Sequence, residues 1–269
     1  MMTLYLFLLS FLTISFLMFG IWLLQLKNKN AGIVDIIWAI SFMVSAFVYC
    51  FFTDGYEVRQ YLFVALVSAW CLRLGIHLFV RNLGKEEDLR YTQLRKEWGT
   101  KANRNLFLFF EFQAITAAAL SVPFIWILNN ASLEFSIVEL VGYVLIIIGI
   151  LGETIADYQL QAYKKNAPKG GICTKGLWNY SRHPNYFFEW LVWVAVFLIA
   201  LPATYGWIAI CCPLLMWHFL NNVTGVKTTE EHMVKTRGEK YVQYQRSTSS
   251  FIPWIKMKKL KTENRKTEN

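Results

Sequence analysis

Residues 32–52 read GIVDIIWAISFMVSAFVYCFF, an apolar run with a single ionisable side chain, Asp35. About 20 helical residues at 1.5 Å each cross the hydrocarbon of a bilayer, so a run of this length reads as a membrane span. Working outward, runs of the same character occupy residues 2–26 before it and 60–80, 106–128, 137–155, 185–201 and 204–223 after it; 185–201 is the shortest. The expectation is an all-α integral membrane protein, a bundle of about seven transmembrane helices. One membrane domain, residues 1–254, is followed at 255–269 by a Lys-rich tail with too few apolar residues to fold. Only 17% of the chain is charged, against about a quarter in a soluble domain. Residues 2–26 lack the basic leader and small-residue cleavage pattern of a signal peptide and are too long for one, so they are expected to remain as a span.

The net charge of +9 raises nucleic acid as a partner, but its placement argues against it. Basic residues sit at 27–29, 81–104, 164–182 and after 223; on the opposite side only Arg59 appears, and Arg73 lies inside a span. That alternation is the positive-inside pattern. It puts the N-terminus outside and the C-terminus in the cytoplasm, with the chain multi-pass in a bacterial inner membrane, or in the endoplasmic reticulum of a eukaryote. The outer loops (53–59, 129–136 and a turn near Pro202) are short. Of the cytoplasmic segments, 84–105 is expected to begin as an extension of the third helix, and 158–182 contains the turn signature Pro168-Lys169-Gly170-Gly171. The five cysteines show neither a CxxC pair nor a His-bearing spacing, so no disulfide framework and no metal site is expected.

Ionisable groups inside spans are costly and are functional candidates by default. Arg73, His77 and Arg81 recur every four residues, so they share one helix face and descend about 12 Å toward the cytoplasm. Glu111 and Gln113 open the fourth span, Glu153 and Asp157 close the fifth, Glu189 opens the sixth, and His218, Asn221 and Asn222 close the seventh. With Asp35, all fall in the cytoplasmic half. The outer half is expected to be almost uncharged apart from Glu57 and Glu134 in loops. Such groups can simply satisfy one another or reach the headgroups, the better account of Glu111. For Arg73 and His77 a polar cavity open to the cytosol is favoured, of the kind helix bundles build for charged cofactors.

Four stretches carry a resemblance: VDIIWAISF (34–42), WCLRLGIHLFVRNLGKEEDLRY (70–91), GLWNYSRHPNYFFEW (176–190) and TTEEHMVKTRGEKYVQYQRSTSSFIPW (228–254). Over about residues 34–254 the chain resembles the steroid 5α-reductase-like membrane family, in particular its bacterial branch. A wider superfamily shares the Arg-His-Pro and the later Glu-Glu…Tyr…Tyr, including sterol C=C reductases and isoprenylcysteine-type methyltransferases. Asn185, Tyr186 and Glu189 match the reductases' Asn-Tyr-x-x-Glu, which the methyltransferases typically lack. The resemblance implies an NADPH-dependent oxidoreductase acting on CH–CH groups, like a 3-oxo-5α-steroid 4-dehydrogenase. Its lipidic enone substrate would enter from the bilayer, among membrane lipids.

Carried over, the family's cofactor contacts fall on Arg73, Asn82, Asp157, Lys164, Asn185, Glu189 and Tyr244. No Gly-x-Gly-x-x-Gly run opens a helix, so phosphates would be held by loop cations, for which Arg81, Lys85, Arg90, Arg182 and Arg246 are candidates. Glu189 has a bland alternative, pairing with Arg182 at a helix start where an acid is favoured. In the steroid enzymes a second-span acid and a third-span Tyr hold the substrate carbonyl. Asp35 matches the acid and, held neutral by apolar surroundings, would donate a proton. The Tyr position reads Trp70, whose indole has no acid–base proton; His77 is the alternative catalytic group. Two other functions stand beside this one: an S-adenosylmethionine-dependent methyltransferase of the isoprenylcysteine type, and a transporter, which the near-uncharged outer half disfavours.

Overall fold

The computed structural model describes residues 1–168, 170–223 and 225–255. It is all-helical, 79% helix with no strand among the described residues. In chain order the helices are α1 (Met2–Asn28), α2 (Ile33–Phe51), α3 (Glu57–Asn82), α4 (Leu89–Trp98), α5 (Ala102–Leu120), α6 (Val122–Leu128), α7 (Ile137–Asn166), α8 (Pro184–Ala200), α9 (Cys211–His218), α10 (Val226–Arg237) and α11 (Glu239–Ser247). Six helical stretches among the described residues are long and apolar enough to cross a membrane: α1, α2, α3, α4 through α6, α7, and the run Gly206–Arg237. The shortest expected run is α8, an apolar helix of 17 residues. Beyond Ile255 the tail expected at 255–269 lies outside the described residues, as does Lys169 of the turn at 168–171, which Gly171 N–H closes on the Pro168 carbonyl at 2.9 Å.

The chain divides into two compact units: Met1–Ile150 with Trp193–Pro213, and Leu151–Val192 with the described residues from Leu214 onward. In the first unit α2 packs against α1, α3 and α5, and α1 against α5. The inward stripe of α1 is Leu6, Ser10, Ile14 and Met18, every fourth residue, the spacing that keeps side chains on one helix face. Ser10 is joined to Ser45 of α2 by a buried hydroxyl pair at 2.8 Å. The remaining faces expose Leu4, Leu8, Leu12, Phe16 and Leu23. A helix apolar all round is a core or membrane helix, and α1 is not enclosed by protein. The unit's centre holds Phe42, Trp70 and Trp193, with ring centroids 5.0–5.6 Å apart.

Two breaks set the layout of this unit. Pro123 has no N–H for the Ala119 carbonyl, so α5 stops at Leu120 and the chain restarts as α6, with Phe124 N–H bonded to Ser121 at 2.9 Å. The segment after α3 is a correction to the expected helical extension. α3 ends at Asn82, Gly84 takes φ +69°, and Asp88 caps a separate α4 by accepting Arg90 N–H at 2.9 Å. A residue at positive φ ends a right-handed helix, and glycine does so without steric cost.

The expectation of few charges around the Arg59 end of α3 misses one residue, Glu139 in the first turn of α7. Arg59 and Glu139, each 1% exposed, form an ion pair at 2.6 Å. The guanidinium also donates to the Asn130, Ser132 and Glu134 carbonyls and lies 4.8 Å from the Phe135 ring. Every charge in the pair is therefore met by hydrogen bonds, the condition for keeping ions out of water.

The second unit contains α7 from Leu151, the start of α8, a π-helical turn Phe219–Val223, α10 and α11. Gly152 is what lets Phe188 come close: a β-carbon there would stand 2.4 Å from the ring. Small residues serve this purpose wherever membrane helices approach each other. Trp190, Trp217 and Phe251 make an aromatic cluster with centroids 4.8–6.0 Å apart.

Candidate functional site

In the second unit the Arg-His-Pro stretch is a buckle. Arg182 donates through Nε and Nη2 to the two oxygens of Glu230, at 2.6 and 3.0 Å, and through Nη1 to the Gln245 and Thr248 carbonyls. His183 Nε2 lies 3.1 Å from the same carboxylate, and Gln245 donates to it at 2.9 Å. The Tyr244 hydroxyl donates to the Trp178 carbonyl, and Ser181 Oγ to that of Phe251. Backbone bonds from Arg182 N–H to Ser249 and from Trp254 N–H to Tyr180 complete the closure. Burial holds the Tyr241 and Tyr244 phenols above the ordinary tyrosine value. The two shared sequence signatures are thus halves of one structure: Glu230, from the Glu-Glu pair, is the counter-ion of Arg182 in Arg-His-Pro. Arg182 and Tyr244 spend their hydrogen bonds on the fold, and Arg182 takes Glu230 rather than Glu189 as its carboxylate.

Beside the buckle, two i, i+4 pairs bring polar groups to one face of each helix: Glu153 with Asp157 on α7, and Asn185 with Glu189 on α8. Glu153, Asp157 and Glu189 are all under 9% exposed. Asn185 Nδ2 donates to Asp157 Oδ1 at 3.2 Å. Asn185 Oδ1 is buried and has no hydrogen-bond partner among the described residues. Lys164, near the end of α7, is exposed, and Arg246 is exposed with Glu239 3.9 Å away. A cleft of about 540 Å³ lies along the end of α7, lined by Tyr158, Gln159, Tyr163, Cys173, Lys175 and Gly176.

In the first unit Asp35 is held by two donors from α4. One carboxylate oxygen accepts from Arg90 at 2.6 Å and the other from the Tyr91 hydroxyl at 2.7 Å. Both Asp35 oxygens are thus occupied as acceptors, one by a guanidinium and one by a phenol O–H. A second link docks α4 nearby: Arg95 donates to Glu87 and to Gln25, and Glu87 accepts the Ala31 N–H. Trp70 is 1% exposed in the aromatic centre, a packing position. Arg73 and His77 are half-buried along α3, Arg81 is exposed, and Arg81 Nε donates to Asn82 Oδ1 at 3.4 Å. Glu111 accepts the Ser15 hydroxyl at 2.6 Å, in line with local satisfaction.

The structure therefore gathers Asp157, Asn185 and Glu189 with Glu153, and separately ties Arg182 to Tyr244 through the buckle. Arg90, Tyr91 and Glu230 carry more than their sequence positions suggest. Their partners lie 55, 56 and 48 residues away, beyond any local pattern.

Six long apolar helical stretches with lipid-suited outer faces mark a multi-pass helical membrane protein. Residues 21–248 match the family described as protein of unknown function (DUF1295), and the chain belongs to that family. No curated protein and no solved structure matches it.

Proposed function

We propose that the chain is a steroid 5α-reductase-like enzyme: a membrane-embedded, NADPH-dependent reductase of the C=C bond of a lipidic enone of steroid, sterol or isoprenoid type. In this reading it crosses the bilayer seven times, with the N-terminus outside and the C-terminus cytoplasmic. The observation that carries the proposal is the Asn185 carboxamide. Asp157 as a carboxylate can only accept, so the Asn185 nitrogen must face it, and the oxygen is left buried without a donor. A stranded buried acceptor costs about 1–3 kcal/mol, which a bound N–H or O–H recovers. A nicotinamide carboxamide offers N–H groups and its ribose offers hydroxyls, while carboxylates such as Glu189 and Asp157 accept ribose O–H bonds. The residues present fit the group. When bound, the reduced dinucleotide supplies hydride. The chain's own part in the second unit is to bind and orient it through Asn185, Asp157 and Glu189, with Lys164 and Arg246 as candidates for phosphate. The resemblance assigns the catalytic role to Asp35 and His77 of the first unit.

A methyltransferase of the isoprenylcysteine type is the second reading, and one observation favours it. The buried groups around Asn185 are rich in carboxylates, and the nearest Arg-His-Pro arginine is already committed to Glu230. A site rich in buried carboxylates suits the sulfonium of S-adenosylmethionine. Titration of the purified protein with both molecules decides between them. NADPH is expected to bind with an affinity that weakens with salt, as phosphate contacts require. Glu189→Gln should weaken it by about 1–3 kcal/mol, the cost of stranding a hydrogen bond to a charged group. Binding of S-adenosylmethionine with none of NADPH would move the assignment to the methyltransferase.

A further inference from the structure

The strap that closes the buckle, residues 248–254, ends in side chains that the fold leaves outside. Phe251 is buried, its ring 6.0 Å from those of Phe187 and Trp190 in the first two turns of α8. Trp254 N–H bonds the Tyr180 carbonyl at 2.9 Å, just ahead of Pro184, where α8 starts. The strap is thus fixed at one end of a 17-residue apolar helix, the end that carries Arg182, Asn185 and Glu189. Yet Ile252, Trp254 and Ile255 are 48%, 69% and 78% exposed, and Tyr180 is exposed beside them in sequence pairing. In the same unit the exposed apolar stripe of α7, Leu151 and Ile155, finishes in an exposed Tyr158. Trp and Tyr gather where helices leave the hydrocarbon, because their rings suit the acyl boundary and their N–H or O–H the headgroups.

Between the strap and the end of α11 lies a cleft of about 380 Å³. Arg246, Ser249, Ser250, Trp254 and Ile255 are among its walls, and none of its lining residues is acidic. The Arg246 side chain is 74% exposed, and Glu239, at 3.9 Å, is beyond hydrogen-bond reach. Past the cleft the sequence continues with Lys256, Lys258, Lys259, Lys261, Arg265 and Lys266 against two acids, Glu263 and Glu268. A guanidinium and hydroxyls are donors for phosphate oxygens. A basic run directly after a membrane helix bundle attracts anionic headgroups in preference to zwitterionic ones.

We propose that this face binds an anionic phospholipid. Its phosphate sits in the cleft on Arg246, Ser249 and Ser250, Trp254 and Ile255 meet its acyl boundary, and the charge of the following lysines draws further anionic lipid to the place. The site lies wholly within the second unit and holds whether or not the chain is a reductase. It also takes Arg246 away from a dinucleotide, since one guanidinium fork cannot grip both phosphates at once.

The test places the full chain in nanodiscs of phosphatidylcholine and phosphatidylglycerol, extracts it in mild detergent, and measures the retained lipids by mass spectrometry. The wild type should retain phosphatidylglycerol above its share of the bilayer. Arg246→Ala should lower the retained ratio about fivefold, the worth of one basic side chain near an anionic surface. Its thermal midpoint should match the wild type, because the side chain is exposed, and Arg246→Lys should recover part of the ratio. Lys101→Ala removes the same charge from an exposed position on another basic segment and should leave the ratio unchanged. Trp254→Ser should lower retention at low and high salt alike. Changing Lys256, Lys258, Lys259 and Lys261 to Gln should lower it at low salt only, since exposed charges are screened. Retention at the bilayer's own ratio in the wild type overturns the proposal. Equal effects of Lys101→Ala and Arg246→Ala overturn the cleft as the site, because basic residues would then act by number alone. Release of phosphatidylglycerol from the wild type by added NADPH overturns the lipid as occupant and gives Arg246 to the dinucleotide.

Discussion

Glu230 shows how much of the second unit hangs on one side chain. It accepts twice from Arg182 and once from Gln245, and lies beside His183, with only 14% of its side chain exposed. Glu230→Gln keeps the shape and removes the charge, leaving the Arg182 guanidinium buried without its counter-ion. Breaking a buried pair from one side costs about 3–5 kcal/mol, so a clear fall in thermal midpoint is expected in detergent, with α10 and α11 cut early by protease. A midpoint equal to that of the wild type would show that the buckle carries no stability. At this scale the sequence is legible only where partners are close along the chain. The i, i+4 spacings of Glu153 with Asp157 and Asn185 with Glu189 are enough to place each pair on a shared helix face. Arg182, which reads in the sequence as a phosphate ligand, gives no sign of an acid 48 residues later, and Glu139, a lone acid in an apolar run, hides its partner 80 residues back. Trp70 reads as a catalytic tyrosine lost; its burial against Phe42 and Trp193 makes it a core residue instead.

Among the elements, two glycines separate packing from propensity. In the first unit a β-carbon on Gly142 of α7 would lie 2.6 Å from Ile199 and 3.0 Å from the Ala195 carbonyl of α8, whereas one on Gly20 of α1 would meet nothing within 4 Å. Gly142→Ala should therefore destabilise by about 1–3 kcal/mol through overpacking. Gly20→Ala should be neutral or gain up to about 1 kcal/mol from the lower backbone entropy of alanine. Thermal unfolding of both variants in one detergent is the comparison, and an equal response would place the α7–α8 approach in doubt. The helices themselves are the most legible part of the chain, since a long apolar run leaves the backbone no way to bond except helically in lipid. Their ends are less so. The separate α4 depends on the positive φ of Gly84 and the Asp88 cap, and the α5–α6 break depends on Pro123. Each is a single residue inside a stretch whose overall pattern points elsewhere.

For the molecule as a whole, the arrangement of basic residues predicts the orientation. A reporter fused after Trp254 should register as cytoplasmic and one placed at Met1 as external, because 25 of 27 basic residues fall on alternate loops. A tail reporter on the far side would reverse every depth assigned to the polar groups. The buried pair of Arg59 and Glu139 adds a dimension of time. The two residues are 80 positions apart, and ribosomes add about 5–20 residues per second. Arg59 therefore waits roughly 4–16 s at that pace before its counter-ion exists. Throughout that interval its cation must be met by water or lipid headgroups at the bilayer surface, and the start of α3 can settle into its final seat only after the start of α7 has been synthesised.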